Sequence, residues 1–246
     1  VPGPKSIALH QRCKAHEFGL FTWVESMPVG FASGQGVTLQ DVDGNRYLDV
    51  THGHMAAALG HANPEIIAAV EGQIRKVSHL RNNPTEVRAE LMEKLAAITP
   101  EDLNLFAFYS SGTEAAEAAM RVARAVTGGH EFISFYGDYH GRTTGASATS
   151  WGNRMSGPRM GGFHTLPNGW CHRCEFGLEP STCKLHCVDY IERAIKVNSY
   201  GALAGIFAEP ITNGSGARVF PPGYLQGLRD IADRTGALLI FDEHAT

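Results

Sequence analysis

Four stretches of the chain carry residue types that can do chemistry. Ser110-Ser111-Gly112-Thr113-Glu114-Ala115 follows a short apolar run at 105–109. Ala115, Ala119, Val122, Ala123 and Val126 then recur at helical spacing on one side. Gly112 has no Cβ, so its N–H can approach an anion closely. With two hydroxyls and a helix N-terminus beside it, this is a phosphate site. The same Ser and Thr also serve as a plain helix cap, and on this segment alone that simpler role stands first. Gly137-Asp138-Tyr139-His140-Gly141-Arg142-Thr143-Thr144 follows the apolar run 132–136. A planar ring can stack on Tyr139, and Arg142 can grip a carboxylate with two N–H groups. A surface loop with a solvated Arg is the plain alternative. Glu209-Pro210 follows the run 203–208, and Asp242-Glu243 follows 237–241. A carboxylate at the end of a buried strand is costly unless paired. Two of them point to a cationic ligand group or a shared hydrogen-bond network. A metal fits less well, because nearby His and Cys lack ligand spacing with these acids.

The elements that must position these residues follow from periodicity. The apolar runs, with a weaker one at 163–166, alternate with helices starting near Thr113, Asp189 and Gly223. That order predicts βαβ units and a mostly parallel sheet, with right-handed crossovers. The expected fold class is α/β, a mostly parallel sheet with helices on both faces, plus a small N-terminal α+β segment. In that segment 37–40 and 47–50 flank Asp41-Val42-Asp43-Gly44-Asn45, a hairpin signal. Asn63-Pro64 opens a helix carrying Ile66, Ile67, Val70 and Ile74. Pro84-Thr85 opens another carrying Val87, Leu91, Leu95 and Ile98. We divide the chain into an arm and antiparallel unit at 1–60 and a partial large domain at 61–246. A Cys-rich insert lies within the latter at 168–188.

Ligands of open α/β sheets bind beyond the carboxyl ends of the strands. There this chain offers an anion site, a stacking ring, a carboxylate clamp and a buried acid. The set suits a flat, phosphorylated, cationic heterocycle, and pyridoxal phosphate fits it. The sequence has no GxGxxG between strand and helix, no GxxxxGK[ST] and no GxSxG.

The 246 residues are 43% hydrophobic and 19% charged, with a net charge of −4. That composition is globular and carries no basic field for nucleic acid or an anionic membrane surface. No apolar run approaches the roughly 20 residues of a membrane span, and 1–10 contains no continuous apolar stretch of a signal peptide. The expected location is the cytoplasm. A start at Val1 leaves upstream processing open. The chain stops at Asp242-Glu243-His244-Ala245-Thr246, directly after a buried-type strand, and we read it as the N-terminal part of a longer protein.

Taken in order, Ser111-Gly112-Thr113-Glu114-Ala115, Tyr139-His140-Gly141-Arg142-Thr143, Glu209-Pro210-Ile211 and Leu239-Ile240-Phe241-Asp242-Glu243 resemble the successive motifs of class III aminotransferases. These are pyridoxal-phosphate enzymes of fold type I. The resemblance begins near Gly36 and includes Gly44-Asn45-Arg46-Tyr47-Leu48-Asp49 and Gly60-His61. It implies that the N–H groups of Gly112 and Thr113, beside Ser111, bind the cofactor phosphate, and that Tyr139 stacks on the ring. It implies that Asp242 pairs with the ring nitrogen, and that Arg142 holds the substrate carboxylate. His140 belongs to the cofactor set, and Glu209 is a support near Asp242 or His140. His54 and Met55 are placed at the substrate mouth. Lys5, Lys14, Lys76, Lys94, Lys184 and Lys196 match no Schiff-base position, so that lysine is expected beyond Thr246, and no catalytic residue is assigned here. Where several members carry a gating Glu, this chain has Gly214. The residue three after the Asp is Ala245, and His244 stands where a small apolar residue is usual. The resemblance implies amino transfer between an amino acid and a 2-oxo acid, and a homodimer. Same-fold racemases, epimerases and aminomutases share these motifs. A non-catalytic metal-binding structural protein is the alternative of another class.

Cys171-His172-Arg173-Cys174 and Cys183-Lys184-Leu185-His186-Cys187 form a CxxC, eight-residue spacer, CxxxC pattern. Cys171, Cys174, Cys183 and Cys187 can hold Zn²⁺ or an iron–sulfur cluster. Two disulfides, or four reduced thiols, are the other states of the same residues.

Overall fold

The computed structural model describes residues 2–17, 27–53, 55–100, 102–151, 160–244 and 246. Packing divides the chain into two compact units, Val1–Phe106 and Ala107–Thr246. The sequence division lies at 60/61, and the packing division falls at 106/107.

The first unit holds helix α1 (Pro4–Lys14), then strands β1 (Phe31–Gln35), β2 (Thr38–Asp41) and β3 (Arg46–Leu48), then helices α2 (Pro64–Lys76) and α3 (Glu86–Ile98). The strands form one antiparallel sheet in the order β1-β2-β3. The turn between β2 and β3 is the expected one, with Gly44 at φ +94°. It also caps α1: the Asp43 carboxylate accepts the N–H groups of Lys5 at 2.9 Å and Ser6 at 2.8 Å. Asn63 and Thr85 cap α2 and α3 through their side chains, as their positions before Pro64 and Glu86 predict.

The second unit begins with helix α4 (Gly112–Thr127), followed by strand β4 (Glu131–Phe135), helix α5 (Thr144–Thr149) and strand β5 (Phe163–Leu166). A 3₁₀ turn (Cys171–Arg173) precedes helix α6 (His186–Asn198) and strand β6 (Leu203–Ala208). The short pair β7 (Ile211–Thr212) and β8 (Arg218–Val219), helix α7 (Tyr224–Thr235) and strand β9 (Leu238–Phe241) complete it. The main sheet is parallel, in the order β5-β4-β6-β9. Strand side chains divide between two cores, because successive residues point to opposite faces. Ile133, Phe135, Ile206 and Ala208 pack against Ile191 and Ile195 of α6 and Leu228 and Ile231 of α7. Phe132, Ala204 and Phe207 pack against Ala116, Met120 and Ala123 of α4. Helices therefore cover both faces, as expected for an α/β sheet. The small residues of α4 let its axis lie close to the strands.

One expected strand differs. Residues 105–109 form no strand among the described residues, and Leu105 is 93% exposed. A short apolar run makes a strand only where it joins a sheet edge, and the sheets of the described residues do not include this one.

Candidate active site

The carboxyl ends of β4, β6 and β9 and the N-terminus of α4 bring the expected residues to one edge of the sheet. Ser111 is the N-cap of α4. Its Oγ accepts the Glu114 N–H at 3.2 Å and lies 3.2 Å from Glu114 Oε2, a capping box. A helix leaves its first N–H groups without internal partners. Ser111 takes that of Glu114, so those of Gly112 and Thr113 are the ones the helix itself cannot bond. Capping and anion binding are therefore compatible uses of one turn. Gly112, Ala115, Ala116 and Ala119 form one wall of a cleft of about 280 Å³; Phe207, Ile240, Phe241, Asp242, Glu243 and His244 form the other.

Asp242 stands just past β9, where its N–H continues the ladder to Ala208 O at 2.9 Å. Its Oδ2 lies 2.9 Å from His140 Nδ1, and its Oδ1 accepts the His244 N–H at 3.2 Å. Its side chain keeps 24% of its surface exposed. Burial works to raise the Asp242 pKa, but the His140 hydrogen bond and charge outweigh it and hold the carboxyl below its ordinary value. Asp242 is thus an anion, fixed in orientation, with one side toward the cleft.

His140 is buried. Its N–H donates to Ser150 Oγ at 2.8 Å, and its ring lies 5.1 Å from the Phe207 ring. Gly137 (φ +94°) and Gly141 (φ +138°) frame its loop. Gly141 is required twice over: its φ is in the region that favours glycine, and a Cβ there would run into Thr113 Oγ1. That close approach lets the Arg142 N–H reach Thr113 Oγ1 at 3.3 Å, tying the loop to the first turn of α4. Glu117, one turn further along α4, accepts Thr143 Oγ1 at 2.5 Å and the N–H groups of Gly145 and Ala146 at 2.9 and 3.1 Å.

The Tyr139 ring is half exposed, and its hydroxyl receives Arg142 Nε at 3.0 Å. The stacking ring and the candidate carboxylate clamp are therefore joined. Glu209 stands beside the loop that carries His140. It touches neither Asp242 nor His140 directly; its Oε1 accepts the Tyr139 N–H at 2.6 Å and its Oε2 accepts the Asn213 N–H at 2.8 Å. A carboxylate has two acceptor oxygens, and the backbone of two loops uses both. Gly214 faces Tyr139: a Cβ there would lie 3.7 Å from the Tyr139 Cβ.

Sequence reasoning missed Asp138. Its side chain is 1% exposed, accepts Thr212 Oγ1 at 3.0 Å and the Glu209 N–H at 3.2 Å, and lies 3.9 Å from His140 Nε2. Burial pushes its pKa up to about 7, with the His140 charge opposing and the Glu209 charge adding. The signal was present: it is a third acid just past a buried strand, like Glu209 and Asp242.

His54 and Ala245 lie outside the described residues. Met55 is in the first unit, with φ +69°. Cys171, Cys174, Cys183 and Cys187 all line one cavity of about 40 Å³, together with Phe176, Leu178 and Pro221. All five cysteines are free thiols, and among the described residues no three His, Cys, Asp or Glu side chains are arranged to hold a metal. The expectation of a Zn²⁺ or iron–sulfur site gains no support from this arrangement. Burial among apolar side chains pushes the Cys187 thiol up to about 11 and raises that of Cys171.

The family model for class-III aminotransferases matches residues 22–246. The chain belongs to the class-III aminotransferase family. Within it, the chain is 34% identical over 222 residues to an acetylornithine aminotransferase of Methanopyrus kandleri, covering 88% of this chain and 51% of that protein. It is 37% identical over 226 residues to a glutamate-1-semialdehyde 2,1-aminomutase of Roseiflexus castenholzii, covering 92% and 50%. The crystal structure of an (S)-enantioselective omega-transaminase from Thermomicrobium roseum superposes with a TM-score of 0.86 at 27% identity, covering 97% of this chain and 56% of that one. The family member described here spans about half the length of these relatives, and its parallel sheet with helices on both faces is the transaminase fold type I. No helix among the described residues is long and apolar enough to cross a membrane.

Proposed function

We propose that the full-length protein transfers an amino group between an amino acid and a 2-oxo acid with pyridoxal phosphate. One observation carries this reading: the N-terminus of α4 and the Asp242 carboxylate line the same cleft. An anion site and a fixed anionic side chain therefore face one space, which is the donor set that a phosphorylated, cationic ring requires. The N–H groups of Gly112 and Thr113, with Ser111, would hold the phosphate. Asp242, oriented by His140, would hold the protonated ring nitrogen. Tyr139 would cover the ring, and Glu209 fixes the backbone that carries Tyr139. When bound, the cofactor supplies an electron sink for the carbon bearing the amino group. Arg142, already steered by the Tyr139 hydroxyl, would take the substrate carboxylate. Among the described residues lining the cleft there is no lysine, so the covalent anchor would come from sequence beyond Thr246.

We further propose a cytoplasmic homodimer. The exposed apolar side chains of Ile66, Ile67, Val70 and Ile74 along α2 support a covered surface on the first unit.

The full-length protein is to be incubated with pyridoxal phosphate, a panel of amino donors and a 2-oxo acid. The expected result is a new 2-oxo acid and a new amino acid in equal amounts. Borohydride reduction should leave a single cofactor adduct on a lysine. Inverted chirality or an internally moved amino group, without a new 2-oxo acid, would replace this reading with a racemase or an aminomutase. Failure to take up cofactor would overturn it.

A further inference from the structure

Behind the cleft lies a buried carboxyl that the proposed reaction does not use. Two contacts of Asp138 bind the loops together: Thr212 Oγ1 at 3.0 Å and the Glu209 N–H at 3.2 Å. The third is of another kind. Asp138 Oδ2 is 3.9 Å from His140 Nε2, too long for a hydrogen bond but close for two groups that can both be charged. His140 Nε2 is buried and has no hydrogen-bond partner among the described residues. The opposite ring nitrogen is bonded to Asp242. One imidazole therefore separates two carboxyls, one at the cleft and one sealed from it.

We propose that Asp138 is a positioning residue for Asp242 and acts through His140: one proton, held on the Asp138–His140 pair, governs how strongly Asp242 can face a cationic ring nitrogen. This inference rests on the cofactor reading above. With the proton on Asp138, His140 is neutral and directs Nδ1–H at an Asp242 carboxylate that keeps its full charge. With the proton on Nε2, the pair's total charge is unchanged, but an imidazolium now neutralises Asp242 from behind. Burial penalises separated charges, so the first arrangement is favoured. The raised pKa of Asp138 agrees with this.

The titratable groups facing the pair come from several elements. Glu209 stands at the end of β6. Asp242 and His244 stand beyond β9. Tyr224, on α7, is a fully buried phenol whose ionisation the Asp138 charge opposes. The uncharged neighbours are the Phe207 ring and the Thr212 hydroxyl. The arrangement is a chain of side chains with a proton store at its sealed end.

The test uses the full-length protein with isotope-labelled histidine and aspartate, first without cofactor. In wild type, the Asp138 carboxyl carbon is expected to titrate near neutral pH, and the His140 ring signals to register that step through the 3.9 Å approach. In Asp138→Asn the step seen at His140 should vanish. In Thr212→Val, which loosens the same loop without altering charge, it should persist. With pyridoxal phosphate bound, the pH midpoint of its absorbance should fall by about half a unit or more in Asp138→Asn, because above neutral pH the wild-type pair has lost its proton and places a negative charge behind the ring that the variant lacks. Thr212→Val should leave that midpoint in place. A merely structural Asp138 would weaken cofactor binding at every pH and move neither midpoint. An Asp138 carboxyl that is ionised throughout pH 5 to 9, or a His140 step unchanged in Asp138→Asn, overturns the proposal. The wild-type titration decides this even if the variant does not fold. Failure of the wild type to bind any cofactor would instead overturn the functional reading, while the cofactor-free titration still decides the role of Asp138.

Discussion

The Glu209 carboxylate accepts the backbone N–H of Tyr139 at 2.6 Å, across 70 residues of sequence. Its second oxygen accepts the Asn213 N–H at 2.8 Å. A side chain past β6 thereby sets the position of the aromatic ring past β4. Glu209→Gln replaces one acceptor with an NH₂ group that faces an N–H. Hydrogen bonds to charged groups contribute about 1.5–3 kcal/mol each, so the variant is expected to lose about 2 kcal/mol of stability. Pyridoxal phosphate affinity should fall with it, because Tyr139 is no longer held. Chemical denaturation and cofactor titration of the full-length protein read both. Unchanged affinity would separate Glu209 from the Tyr139 ring.

The buried acid Asp138 gives a pH dependence whose sign can be stated. Its folded-state pKa, about 7, lies above the ordinary carboxyl value. Between those two values the folded state binds more protons than the unfolded one, so this group's contribution to stability falls as pH rises, and the full cost is present above about pH 7. Asp138→Asn is neutral at every pH. Its stability relative to wild type should therefore increase from pH 5.5 to pH 8.5. Denaturation curves at the two pH values measure this, and a constant difference would show that Asp138 is ionised throughout.

Much of this arrangement was legible in the sequence because it follows local rules. Asn63, Thr85 and Ser111 mark helix starts through the chemistry of one side chain. The runs at 163–166 and 203–208 become β5 and β6 unchanged. The strand-end acids announce themselves because burial of a carboxylate demands a partner. What the sequence does not show is which partner. Glu209 serves Tyr139 and Asn213, not Asp242 or His140, and the choice is made by loop geometry that no spacing encodes. Residues 105–109 have the composition of a strand, but a strand is a property of a pair, and the sheets of the described residues do not take this run in. The cysteine spacing matches metal sites, but spacing does not show that the four side chains line one small apolar cavity, where burial raises the thiols of Cys171 and Cys187.

That environment makes a prediction for the insert. Cys187, buried and pushed up to about 11, should resist alkylation at pH 8, while exposed Cys13 reacts readily. Dialysis against a strong chelator should leave the melting temperature unchanged. Peptide mapping after alkylation, and metal analysis of the purified protein, check both statements. One molar equivalent of zinc or iron, lost together with stability on chelation, would restore the four-thiolate site.

Gly141 offers the sharpest local test of how the Tyr139–Arg142 loop meets α4. Its φ of +138° is a glycine conformation, and an added methyl would strike Thr113 Oγ1 and come within 2.9 Å of the Ala146 Cβ. Strained backbone and overpacking each cost about 1–3 kcal/mol, so Gly141→Ala should destabilise the protein by about 3 kcal/mol. Part of that cost is the collision with the Thr113 side chain and part is backbone strain. A double-mutant cycle separates them. In a Thr113→Ala background the Gly141→Ala cost should drop by about 1 kcal/mol, because the hydroxyl is gone while the φ penalty and the Ala146 contact stay. Equal costs in the two backgrounds would mean that the loop does not approach the first turn of α4 this closely. The Arg142 N–H would then not reach Thr113, and the anion site and the carboxylate clamp would be independent of one another.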